Sequence, residues 1–166
     1  MDCSNNESHR TRSSQYGSNE DKEELERNFF DTVLAPYFNI TKYKHNETDS
    51  WANLRGSDVT AYFGNIKRQI DLKGFDDSYD TVALSYGRSY DGEKWFSPMV
   101  GKITTDWFFI DPEARTCYIL TTSKWNEIRN TPEIWQSLER RTVEPSRGGH
   151  WQKIVKIPKS ILWKVD

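Results

Sequence analysis

The chain is short of the residues that staple small proteins together. It has two cysteines in 166 residues, Cys3 in a polar stretch and Cys117 in an apolar run. That excludes a disulfide framework and points to a reducing compartment. The three histidines, His9, His45 and His150, share no ligand spacing with either cysteine, which argues against a zinc site. No apolar run approaches the ~20 residues a membrane helix needs. The polar N-terminus lacks an export signal, so the expected location is cytoplasmic. Glycosylation-type triplets beginning at Asn6, Asn39 and Asn46 are then chance matches. An excess of one charge is missing too. Lys and Arg number 23 against 25 Asp and Glu, a net charge of −2, so there is no global signature of a polyanion binder. Locally, Arg140, Arg141, Arg147, Lys153, Lys156, Lys159 and Lys164 stand against only Glu144 and Asp166. That segment suits either a polyanion partner or a solvated face.

What remains is one domain's worth of chain with many aromatics. Residues 1–20 carry almost nothing apolar and read as a disordered polar tail. Residues 21–166 read as a single domain. Leu25, Phe29 and Val33 recur at helical spacing, acidic residues crowd the first turns, and Pro36 and Asn39 mark the end, which predicts a helix over 21–38. Strands are expected at 81–86, 103–110, 117–120 and 151–157, with polar turns at 87–92 and 111–113. Short helices are expected at 123–129 and, behind the Thr131-Pro132-Glu133 start signal, at 131–141. A Pro/Gly loop is expected at 142–150. This order gives an α/β (α+β mixed) class, a sheet with helices packed on it.

The clearest signal lies at residues 56–73. Gly64-Asn65 is a two-residue hairpin turn, and opposed residues on its arms sum to 129. Val59, Ala61, Phe63, Ile66, Ile70 and Leu72 then share one face, with Arg68 its one polar member. Asp58, Thr60, Tyr62, Lys67, Gln69, Asp71 and Lys73 share the other. In this register Asp58 faces Asp71, with Cβ atoms roughly 4.5–5.5 Å apart. Two carboxylates that close repel unless a proton or a cation sits between them. Lys73 projects beside Asp71, so the polar face carries a carboxylate pair and an amine, a metal-site arrangement. An amphipathic hairpin with a solvated polar face has the same alternation.

A helix with an acid, Asp58 at a strand start and Asp71-Leu72-Lys73 on the next strand resemble the PD-(D/E)XK nuclease superfamily over about residues 23–110. Here Gly-Ser, not proline, precedes the first Asp, and Ser85 stands where some relatives place another acid. The resemblance implies a restriction-endonuclease-like mixed central sheet flanked by helices. It implies a Mg2+ site, with Mn2+ as a substitute, at Asp58 and Asp71. Lys73 would position or activate the attacking water, and Glu26 on the first helix would complete the catalytic set. DNA is the implied partner, and many small relatives act as homodimers. Two other readings stay open: a catalytically inactive nucleic-acid-binding or protein-interaction module on the same scaffold, and an unrelated binding module with an incidental acidic hairpin face.

Overall fold

Residues 19–146 and 149–166 are described in the computed structural model. The predicted tail falls almost wholly outside them, and helix α1 (Asn19–Phe29) is in place two residues before its expected start. It continues through a π-helical turn (Phe30–Leu34) into α2 (Ala35–Tyr37). Asn39, at φ 55°, follows as the expected stop. The loop after it holds a short strand, β1 (Tyr43–His45), and a single helical turn, α3 (Trp51–Leu54). Strands β2 (Val59–Phe63) and β3 (Ile66–Gly74) then form the hairpin, pairing Val59 with Ile70 through Phe63 with Ile66 in the 129 register. Gly64 takes φ 63° while Asn65 stays on the ordinary side, as expected of a two-residue turn with glycine first.

Strand β4 (Thr81–Ser89) runs three residues into the stretch predicted as a turn. Strands β5 (Asp106–Asp111) and β6 (Thr116–Thr121) form the second hairpin, followed by α4 (Thr122–Asn130) and α5 (Pro132–Ser137). The second of these helices stops short of its expected end, because residues 139–143 are strand β7 (Glu139–Val143). All five β7 residues are exposed, so no alternation announces them; backbone pairing to β8 (Trp151–Pro158) holds them. A 3-10 turn (Lys159–Ile161) and β9 (Trp163–Lys164) close the chain.

The protein is mixed α/β, with two sheets among the described residues. The larger runs in the order β1-β2-β3-β5-β6-β9, with β3 and β5 parallel and its other neighbours antiparallel. The smaller runs β4-β8-β7. All six residues of β5 are buried, because the larger sheet is covered on both sides. On one side Phe29, Phe30 and Leu34 pack against Val59, Ala61, Ile70, Phe108 and Ile110. On the other, Trp107, Phe109 and Leu120 meet Val82, Leu84, Val155 and Ile157 of the smaller sheet, with Trp125 and Ile128 from α4. One flank is thus helical, while the other is mainly a second sheet. Arg68, the polar member of the apolar hairpin face, gives Asp106 a two-point ion pair with both contacts at 2.7 Å. No helix among the described residues is long and apolar enough to cross a membrane.

Candidate functional site at the sheet notch

The candidate residues meet where the β2–β3 ladder ends. The Asp58 N–H donates to the Ile70 carbonyl at 2.8 Å, one step off the 129 register, so regular pairing stops at Val59. Beyond Ile70 the β5 side of β3 stays paired while its β2 side opens into a notch. Asp58 fills that notch with its side chain. Its Oδ2 accepts the free Leu72 N–H at 2.8 Å, and Asn53 Nδ2 donates to its Oδ1 at 3.1 Å. Asn53 is itself set by the single turn of α3, where Ser50 caps the Asn53 N–H.

The ladder pairs residues only as far as Val59 with Ile70, so Asp58 meets Asp71 just beyond it and not as a paired position within it. Asp58 lines a helix-side cavity of about 180 Å3 with Glu26, His45 and Leu72. Asp71 and Lys73 line a cavity of about 570 Å3 between the two sheets. The two carboxyl groups nevertheless meet through a side-chain hydrogen bond at the notch. Lys73 Nζ stands 3.3 Å from Asp71 Oδ2. Glu26 comes down from α1 onto β3 at Gly74. A Cβ there would meet Glu26 Oε2 at 2.7 Å and Lys22 Cε at 2.9 Å, so glycine is what lets the helix acid approach. Glu26, Asp58, Asp71 and Lys73 thus form one electrostatically coupled group.

Two of these acids are held away from their ordinary range. Burial pushes Asp58 up to about 7, helped by the Asp71 charge and the shared hydrogen bond, and opposed by the Leu72 N–H and Lys73. Burial likewise raises Glu26 to about 7, with Lys22 opposing and Asp58, Glu23 and Asp71 adding to the shift. A cation beside such carboxyls would favour their charged form. The donor set suits a hard divalent ion of the magnesium type, which takes one or two carboxylates and completes its shell with water and substrate oxygens. Among the described residues no three acidic, His or Cys side chains converge as a ready-made metal cage.

Sequence reasoning overlooked His45 and Asn53. His45 lies in the helix-side cavity with Nε2 2.7 Å from Asp31 Oδ1, while its buried Nδ1 has no partner. Neither residue carries a spacing signal, since each reaches Asp58's surroundings only through the fold. Gln69, on the polar hairpin face, is structural: its Oε1 accepts from Ser57 and Thr60, both at 2.7 Å. Of the basic C-terminal residues, Arg141 pairs with Glu139 at 2.7 Å and Arg140 lies over Trp135; Arg147 is outside the described residues.

No family model, curated protein or solved structure matches this chain. The functional reading therefore rests on the site's own geometry and on the resemblance of its residues.

Proposed function

We propose that the protein is a magnesium-dependent endonuclease that hydrolyses phosphodiester bonds in DNA, with a PD-(D/E)XK-type site on a restriction-endonuclease-like fold. The observation that carries this reading is the Asp58–Asp71 carboxyl contact with Lys73 beside it, Asp71 and Lys73 lining a cavity of about 570 Å3. Asp58 and Asp71 would hold a divalent cation, which would supply a more acidic water and charge neutralisation at the phosphoryl oxygens. The protein's own groups do the rest. Asn53 and the Leu72 N–H fix the Asp58 carboxylate, so little rearrangement is needed when it ionises. Lys73, a compact charge on a flexible stem, meets the phosphate's developing negative charge and orients the attacking water. Glu26, with its affinity for protons centred near neutrality, is suited to exchange a proton with that water. The water oxygen bonds to phosphorus, the ester P–O bond breaks, and the leaving oxygen takes up a proton.

Incubation with supercoiled plasmid and Mg2+ or Mn2+ tests this. The wild type should nick or linearise the plasmid, EDTA should stop it, and Asp71→Asn and Lys73→Ala should each lower the rate by ~100-fold or more. Normal cleavage by Lys73→Ala would remove the lysine from the chemistry. A second reading, binding without cleavage, draws on the lack of a third metal-binding side chain among the described residues. It predicts DNA retardation with intact plasmid at every metal concentration.

A further inference from the structure

The cavity between the two sheets has a composition that the hydrolytic site alone does not require. Lys73, Arg88, Lys102 and Arg129 line it, against the single acid Asp71. No ion pair with a carboxylate engages Arg88, Lys102 or Arg129 among the described residues. Arg88 Nε is buried without any hydrogen-bond partner. Lys102 Nζ has only the Leu54 carbonyl, at 3.0 Å. An unneutralised cluster of cations in a cleft is costly unless an anion is meant to fill it.

The wall facing these cations is aromatic, and one part of it is re-aimed. Between Ser85 and Gly87 the β4–β8 register shifts, leaving Tyr86 as the extra, unpaired residue of a bulge. Bulges of this kind redirect side chains beside functional sites. Tyr86 lines the cavity with Trp107 and Trp125, braced edge-on against Trp135 at 5.0 Å. The guanidinium of Arg129 lies over Trp135 at 4.1 Å and over Tyr86 at 5.6 Å. Cations that track phosphates, interleaved with rings that take bases, are the means by which single strands are held without reading sequence. Size sets the limit. A cavity of about 570 Å3 falls in the small-ligand range and cannot admit the girth of a duplex, whereas one or two nucleotides fit.

From this juxtaposition we infer that the cavity is a seat for unpaired DNA: a single-stranded stretch enters between the sheets, its phosphates on Arg88, Lys102 and Arg129 and a base against Tyr86. The inference rests on the nuclease reading for its direction, since the seat leads the strand to Asp71 and Lys73. The substrate class is then single-stranded or frayed DNA, which a negatively supercoiled plasmid also presents where torsion opens its strands, while relaxed, fully paired DNA is excluded from the site.

Fluorescence anisotropy in EDTA, where no cleavage occurs, tests the seat apart from the chemistry. A dye-labelled single-stranded 12-mer should bind the full-length wild type ~10-fold or more tighter than its blunt duplex. Lys102→Glu and Arg88→Ala should each weaken it by ~5-fold or more and flatten its salt dependence. Lys44→Glu, which alters a residue on β1 away from the cavity, should leave binding unchanged. Lys102 carries no structural ion pair, so Lys102→Glu keeps the test open should Arg88→Ala fail to fold. Equal or tighter duplex binding, or single-strand binding indifferent to both cavity variants, overturns the seat. Loss of the seat with Asp71-dependent plasmid cleavage intact leaves the nuclease standing. Single-strand binding without cleavage in any metal retires the nuclease and keeps the seat.

Discussion

At the residue scale, burial and neighbouring charges make two of the site's acids, Glu26 and Asp58, harder to ionise. Glu26 and Asp58 both sit at about 7, above their ordinary values of 4.5 and 3.8. In metal-free protein the native state therefore keeps protons that the unfolded chain gives up between about pH 4 and 7. Stability must fall as pH rises through that window, and it levels off once the folded-state groups have also ionised. For Glu26 alone the shift is worth on the order of 3 kcal/mol. Thermal unfolding in EDTA from pH 4.5 to 8 should show a falling midpoint, and Glu26→Gln should flatten it. A midpoint that rises with pH over this range contradicts the burial of these acids. The sequence made Asp71 and Lys73 legible because strand alternation puts residues two apart on one face. The placement of Asp58 was only half legible. Hairpin arithmetic brings it level with Asp71, but pairing ends one residue earlier and a side chain, not the ladder, completes the contact.

At the element scale, the hairpin is anchored by a pair that alternation flagged without explaining. Arg68 interrupts an apolar face because Asp106, on the strand parallel to β3, is buried to 5% exposure and accepts both its contacts. Thr105 adds a hydroxyl donor to the same carboxylate at 2.7 Å. Removing Asp106 leaves a guanidinium without a partner. With Arg68 about a third exposed, Asp106→Ala should cost about 2 kcal/mol rather than the larger penalty of a fully buried pair. Urea unfolding of the single variants and of Arg68→Met/Asp106→Leu checks this. The double variant should recover much of the loss; independent, additive losses would show that the two residues are not coupled. Elements with a local signal were readable: the Gly64 turn, the proline start of α5, the apolar Trp107-Phe108-Phe109-Ile110 run of β5. β7 was not, since its five exposed residues look like the end of a basic helix and its strand character comes only from β8.

At the scale of the whole molecule, two layers meet over one sheet, and the proposed chemistry sits where they part. The six-stranded sheet is closed on one side by α1 and its π-helical continuation, which deliver Glu26. On the other side the β4-β8-β7 sheet stands off far enough to leave the cation-lined cavity. That second sheet was invisible in the sequence. β4 and β8 pair across 62 to 77 residues, from Ser89 with Trp151 to Thr81 with Pro158, and no local pattern records a pairing of that span. Asp58 lines one cavity and Asp71 the other while their carboxyl groups meet, so the whole functional reading turns on whether this acid pair takes a hard cation. The most direct test is the thermal midpoint of the full-length protein at pH 7.5 during titration with Mg2+, for the wild type and for Asp58→Asn. The ion should raise the wild-type midpoint by ~5 °C near saturation, and Asp58→Asn should lose most of that rise. A wild type indifferent to millimolar Mg2+, or an equal rise in both proteins, would contradict a cation site at the notch.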